Sequence, residues 1–176
     1  MSIRRISISV FAVLALGAMS VLAQSQQKKD ITMWLQDAGS KLVQLAEAMP
    51  QEKFSWAPSK DVRTFSEVLM HVASANYFFP SLVGIKSETM IDQEMTKKVT
   101  EKAKIISMLK SSFAFLEKAV NETPDADFDK LVKMFGQDAS TRSVFLLALT
   151  HSHEHLGQLI AYVRSNGVVP PWSKSE

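Results

Sequence analysis

TRSVFLLALTHSHEHLGQLIAYVRSN, residues Thr141 to Asn166, reads as one long amphipathic helix, with Gly167 as its stop. At about 100° per residue, Val144, Ala148, His151, His155, Leu159 and Tyr162 fall within about 80° of one another. His151 and His155 therefore occupy what would otherwise be core positions. Residues four apart on a helix are neighbours on one face, with Cβ atoms about 5–6 Å apart, so two imidazoles there can share one ion. His71 lies on another helical stretch, in a stripe with Thr64, Val68, Ala75, Phe78 and Leu82. Burying three imidazoles costs free energy unless each finds a partner. One shared ion would satisfy all three and leave at least one coordination position open, as a catalytic metal needs. The alternative is that each histidine is hydrogen-bonded separately, in the core or at its edge.

The neighbours of these histidines have their own expected places. His153 is about 200° from His151 and belongs on the opposite side of the helix, at a surface contact or a subunit interface. Glu154, about 60° off the His151 axis, would border the site, and Gln158, about 20° off it, would orient a ligand or a bound water through hydrogen bonds. Glu67, one turn before His71, has two readings: the same outer role, or the second half of a capping box in Thr64-Phe-Ser-Glu67.

The rest of the chain supplies the other walls of a bundle. Ile31, Trp34, Leu35, Ala38, Leu42, Leu45, Ala46 and Met49 recur at three- and four-residue spacing, which predicts a helix from an N-cap at Asp30 to Met49, ended by Pro50. A second helix runs from Phe65 to about Val83, with Pro80 ending or kinking it and Gly84 as its stop. Residues 85–96 read as a loop. A third helix covers about Val99–Asn121, with the stripe Ile105/Ile106, Leu109, Phe113, Leu116 and Val120. Thr123-Pro-Asp-Ala-Asp127 is turn chemistry, and Phe128–Asp138 reads as irregular, with a short extended piece at Leu131–Phe135. No internal repeat is visible. Four amphipathic helices joined by loops predict an all-α four-helix bundle, a fold in which metal sites are built from side chains on facing helices.

The N-terminus speaks for export. Arg4 and Arg5 precede an apolar run from about Val10 to Leu22, and Val21-Leu22-Ala23 is a small-residue cleavage pattern. The run is shorter than the roughly 20 apolar residues of a spanning helix. Residues 1–23 are therefore expected to be a signal peptide, residues 24–29 a disordered leader, and residues 30–176 the folded domain of a periplasmic or secreted protein. An uncleaved anchor is the alternative. Without Arg4 and Arg5 the 20 basic residues become 18, which balance the 18 acidic ones. Such a neutral chain lacks the basic stripe of a nucleic-acid binder. With no cysteine, disulfides, thiolate ligands and a cysteine nucleophile are all excluded.

The pattern His151-x-x-x-His155-x-Gly-Gln158-Leu, followed by Tyr162-x-Arg164-x-Asn166-Gly167-x-x-Pro170-Pro171, resembles the DinB superfamily. Upstream, Phe54-Ser-Trp56-x-Pro58 and Val62-Arg-Thr-Phe65-x-Glu67-x-Leu69-x-His71-Val-Ala are similar to the rest of its signature, so the resemblance covers nearly all of the chain after the leader. It implies a four-helix bundle with a divalent metal, often zinc or nickel, on three histidines. By motif position these are His71, His151 and His155, the set that spacing had reached independently. Many such proteins carry the name of metal-dependent hydrolase, better-understood members transfer or isomerise groups on low-molecular-weight thiols, and several are dimers. One departure is Leu156, where relatives often have a second basic residue.

Three functions remain open on these grounds. The first is an exported metalloenzyme hydrolysing a small molecule, since an open metal position would lower the pKa of bound water to about 7, with Glu154 or Gln158 positioning that water. The second is a thiol-dependent transferase or isomerase. The third is a non-enzymatic protein whose ion is structural, or which holds a metal or small ligand. The nine methionines and ten phenylalanines are scattered and read as core rather than as a metal store. No Ser-His-Asp arrangement and no glycine-rich phosphate loop is present.

Overall fold

The computed structural model describes residues 3–173, with side chains from residue 26 onward. The export signal expected over residues 1–23 lies outside the residues whose side chains are described. Among the described residues, no helix is long and apolar enough to cross a membrane.

Among the described residues are five α-helices and one β-hairpin: α1 (Ile3–Ala48), α2 (Phe65–Leu82), α3 (Gln93–Lys98), α4 (Lys102–Glu122), β1 (Leu131–Met134), β2 (Gln137–Ser140) and α5 (Thr141–Ser165). The four long helices form the bundle. α1 packs on α4 and α5, and so does α2, so the order around the bundle is α1, α4, α2, α5. This ring makes α2 and α5 neighbours. The core between the four helices is filled by Leu35, Leu42, Leu45, Met49, Leu69, Met70, Ile105 and Leu109, all fully buried. Phe54, Phe65, Phe128 and Phe145 are also fully buried; Phe54 meets Phe65 edge-on, and Phe128 lies tilted against Phe145.

Several boundaries differ from the sequence reading. Gln26–Lys29, expected as disordered leader, are helical, and α1 begins upstream of Asp30 instead of being capped by it. Lys28 holds this turn to the body of the protein by donating to the Thr123 carbonyl at 2.8 Å and pairing with Asp125 at 3.0 Å. Pro80 does not end α2; it lies in the last turn, where its missing N–H costs a single bond. Residues 85–96 are not all loop. Asp92 accepts from the Met95 N–H at 2.7 Å and starts α3, and the next long helix begins only at Lys102. The irregular stretch after Phe128 is a hairpin whose two-residue turn, Phe135 (φ 51°) and Gly136 (φ 83°), has the left-handed backbone that tight hairpins require.

The two connectors that lead into α2 and α5 are built alike, although no repeat is visible in the sequence. Each starts with a proline, makes one 3₁₀ turn (Gln51–Lys53 or Asp125–Asp127) and buries a phenylalanine. Ser66 N–H then donates to the Phe54 carbonyl and Phe65 N–H to that of Trp56; Arg142 N–H donates to Phe128 and Thr141 N–H to Lys130, all at 2.9 Å. Side-chain caps follow, with Thr64 accepting from Glu67 N–H and Ser140 from Ser143 N–H. Both helices are thus fixed at their N-terminal ends by backbone bonds, which sets how far along each helix the histidines lie.

The helix faces are not all as expected. On α1, Trp34 is 50% exposed, because it stands at the rim of the stripe and not at its centre. On α2, Phe78 is 44% exposed although it shares the His71 line. The deeply buried residues of this helix, Phe65, Leu69, Val72 and Asn76, centre roughly 120° away from that line by the helical period. α2 is apolar on most sides because α3, α4 and α5 all pack on it. Periodicity therefore offers no unique inward face, and His71 lies on the border of the core, not inside it.

Candidate metal centre

His71 reaches the centre from α2, and His151 and His155 reach it from α5. Their ligand-capable nitrogens all lie within 4.8 Å of one another. His71 Nε2 and His151 Nε2 are 3.1 Å apart. The ring centroids stand at 4.9 Å for His71–His151, 4.8 Å for His71–His155 and 4.5 Å for His151–His155. Two nitrogens each about 2.0–2.1 Å from one ion, and about 90–110° apart at it, would be about 2.8–3.4 Å from each other. The Nε2 pair fits that requirement.

Protonation fits at His155 as well. His155 is buried, and its Nδ1–H donates to Gln158 Oε1 at 2.8 Å. An amide oxygen only accepts, so this bond places the proton on Nδ1 and leaves the Nε2 lone pair free. Gln158 is held in turn: its Nε2 donates to the Tyr162 hydroxyl at 2.9 Å, and that hydroxyl donates to the Arg63 carbonyl at 3.2 Å. Trp56 packs edge-on against the Tyr162 ring. This chain of bonds runs from the histidine cluster to the backbone just before α2 and ties the two histidine-bearing helices together. His71 and His151 both have pKa values lowered to about 4, chiefly through burial, with the Arg63 charge and neighbouring histidines adding to it. The pair is neutral at physiological pH, the state in which imidazole binds a metal. His151 Nδ1 is buried and makes no hydrogen bond among the described residues, while Phe79 covers that ring edge-on at 5.5 Å.

The other candidates fall as follows. Gln158 touches His155 directly. Glu154 is exposed; its charge favours protonation of His151, but it forms no part of the cavity beside His71. Glu67 completes the capping box, accepting from the Thr64 N–H at 2.7 Å, and also lines that cavity. His153 is exposed and spends its Nδ1–H on the Leu149 carbonyl of its own helix. The sequence reading gave no role to Tyr162, Arg63 or α3. Tyr162 lies one turn beyond Gln158 on α5, so helical spacing carried its signal; Arg63 precedes the N-cap of α2, where no helical period applies.

A cavity of about 600 Å³ opens on the α2 side of the centre. Arg63, Glu67, His71 and Ser74 form one wall, and Ile91 and α3 the other. A second hollow of about 460 Å³, between α1 and α4, is remote from the histidines in its lining.

The model of the DinB family matches residues 19–175. The chain belongs to the DinB family. Its similarity to the uncharacterized protein YjoA of Bacillus subtilis (strain 168) is 28% identity over 134 residues, 70% of this chain and 80% of that protein. The fold is that of a DinB-like protein from Bacillus cereus ATCC 10987, with a TM-score of 0.69 at 19% identity, covering 78% of this chain and 93% of that one. It is also similar to the mycothiol-dependent maleylpyruvate isomerase, with a TM-score of 0.60 at 14% identity, covering 85% of this chain and 64% of that one. Within this DinB fold, three histidines meet in a geometry that can hold one metal ion.

Proposed function

We propose that His71, His151 and His155 hold one divalent ion, zinc or nickel, with an open coordination position, and that the protein is a metal-dependent hydrolase of a small molecule outside the cytoplasm. One observation carries the choice of enzyme over structural ion: the ring of His71 faces the other two histidines and also forms part of the wall of an open cavity of about 600 Å³. A purely structural site is closed by its ligands and walled in. Bound there, the ion would supply Lewis acidity and acidify water. The protein's own part is to keep the His155 lone pair aimed, through Gln158 and Tyr162, and to hold His71 and His151 unprotonated. Glu154 and Gln158 are the weaker candidates for positioning water, and Gln158, with both ends of its amide engaged, serves the ligand first. Export, as the sequence of residues 1–23 suggests it, would favour hydrolysis, which needs only water.

A second reading has its own support. The fold likeness to the mycothiol-dependent maleylpyruvate isomerase makes thiol-dependent isomerisation or transfer the rival chemistry for the same site.

Metal analysis of purified wild-type protein and His155→Ala comes first. The wild type should carry about one ion per chain and the variant far less, with helical circular dichroism largely retained. Equal, near-zero metal in both would remove the basis of the proposal. Esters, amides and thiol conjugates are then offered to metal-replete protein, and turnover only with an added low-molecular-weight thiol would select the rival reading.

A further inference from the structure

We propose that the cavity between α2 and α3 is a binding site for a small organic anion, a carboxylate or phosphate, anchored by Arg63 and assisted by Lys97. This inference rests on the metal-site reading only for what the anion's other end would reach; the two cations that would hold the anion, Arg63 and Lys97, lie outside the histidine cluster, and His71 is part of the same wall.

Arg63, Glu67, His71 and Ser74 follow one another at spacings of four, four and three, so they line one face of α2 and its N-terminal approach. The facing wall is fixed to this one, since Ser74 Oγ donates to the Ile91 carbonyl at 2.7 Å. Four charged side chains line the cavity: Arg63, Lys97, Glu67 and Asp92. Both acids are already engaged at helix starts, Glu67 with the Thr64 N–H and Asp92 with the Met95 N–H, each at 2.7 Å. Glu94, the nearest acid in sequence to Lys97, pairs with Lys98. Among the described residues, neither Arg63 nor Lys97 forms an ion pair, and the two acids of the lining each spend one oxygen on a backbone N–H, so no direct contact neutralises the two cations.

Arg63 is also placed with care. Its carbonyl is the end point of the bond chain from His155 through Gln158 and Tyr162, so its backbone is held in register with the histidine centre. Arg63 lies just before Thr64, the N-cap of α2, and its charge acts on both His71 and His151. The guanidinium offers the planar fork that matches a carboxylate or phosphate. A volume of about 600 Å³ suits a small molecule. A ligand held by its anionic end at Arg63 would place its other end at His71.

The test titrates succinate, inorganic phosphate and neutral succinamide into metal-free and zinc-loaded protein, for the wild type, Arg63→Gln, Arg63→Lys and Lys97→Gln, by calorimetry. Zinc content is measured in parallel. Succinate or phosphate should bind the wild type in both metal states, and which of the two binds tighter identifies the anionic group. Arg63→Gln should weaken that binding about tenfold or more without loss of zinc. Arg63→Lys should restore part of it, Lys97→Gln should weaken it less, and succinamide should not bind. Wild-type affinity in Arg63→Gln, or no anion binding by any form, overturns the inference. If the wild type holds no zinc, the metal reading fails, and the metal-free titration still decides this one.

Discussion

Gln158→Leu tests whether the outer hydrogen bond of the histidine cluster is a metal-binding feature. Gln158 Oε1 is the acceptor for His155 Nδ1–H at 2.8 Å, and the His155 ring is only 7% exposed, so water cannot readily take its place. Leucine keeps most of the side-chain volume and offers no acceptor. In the metal-free variant the ring can move its proton to Nε2. A metal on Nε2 forbids that escape and forces an unsatisfied buried N–H on Nδ1, which costs about 1–3 kcal/mol. The penalty falls on the metal-bound state alone, so it appears in affinity: Kd should rise about 10- to 100-fold, the range typical of lost outer partners of metal ligands. Competition of the protein with a chromophoric chelator for zinc at pH 7.5 measures this directly. Circular dichroism and melting of the metal-free forms should differ little. A zinc Kd within about threefold of the wild type, with zinc bound by all three histidines, would refute the argument. It would mean that the His155 tautomer is set by something other than Gln158.

Four further outcomes follow from the same structure. Tyr162→Phe removes the hydroxyl that holds Gln158 and should weaken zinc binding less than Gln158→Leu, with the double variant no worse than Gln158→Leu alone; additive losses would contradict a single chain of bonds. The metal-free protein should melt at progressively lower temperature as pH falls from 6.5 towards about 4, because His71 and His151 take up protons in the unfolded chain before the folded one; melting that is flat from pH 6.5 to 5, or equally steep in the His71→Gln/His151→Gln variant, would refute the assignment. Gly39→Ala would put a Cβ 2.9 Å from the buried Phe113 ring, so the ring or the helix must shift, and thermal melting should report a loss of about 1–3 kcal/mol despite the better helix former; an unchanged melting temperature would show that the ring moves into the hollow between α1 and α4 at little cost. Glu67→Ala removes half of the capping box and should cost about 1 kcal/mol in a denaturant titration, with zinc affinity held within threefold; a larger drop in zinc affinity would make Glu67 part of the centre.

The centre was legible in the sequence because its signals are local and periodic. His151 and His155 are four apart, Gln158 is three further on, and Thr64 with Glu67 announces the start of α2. What periodicity could not supply was orientation. On α5 the stripe ran close to the true core, which includes Val144, Ala148, His155, Leu159 and Tyr162. On α2, apolar nearly all round, it selected a line holding the half-exposed Phe78 and missed the deeper face of Phe65, Leu69 and Val72. The error matters for function, since a His71 deep in the core would have no access to solvent, whereas a His71 on the border can belong to a cavity wall. α3 was missed for a different reason. Six residues with no buried member carry no apolar stripe, and only Asp92 as N-cap marks the helix. The likeness of the two connectors was hidden because backbone hydrogen bonds, which any residue can make, carry it.

These two connectors explain why residues 80 positions apart can meet at 3.1 Å. A bundle core of leucine and phenylalanine tolerates some sliding of one helix along another, because apolar packing is non-directional. A metal centre does not, as a rise of 1.5 Å per residue would carry a ligand out of reach within one or two residues. The backbone bonds into Phe54, Trp56, Phe128 and Lys130 give α2 and α5 fixed starting points. The Tyr162 bond to the Arg63 carbonyl then links one helix to the other across the connector. Directional bonds at the ends of the helices set the register, and the apolar core holds the helices at their spacing. In this division of labour the histidines need not bring the helices together themselves, so loss of one imidazole should empty the centre while leaving the bundle standing.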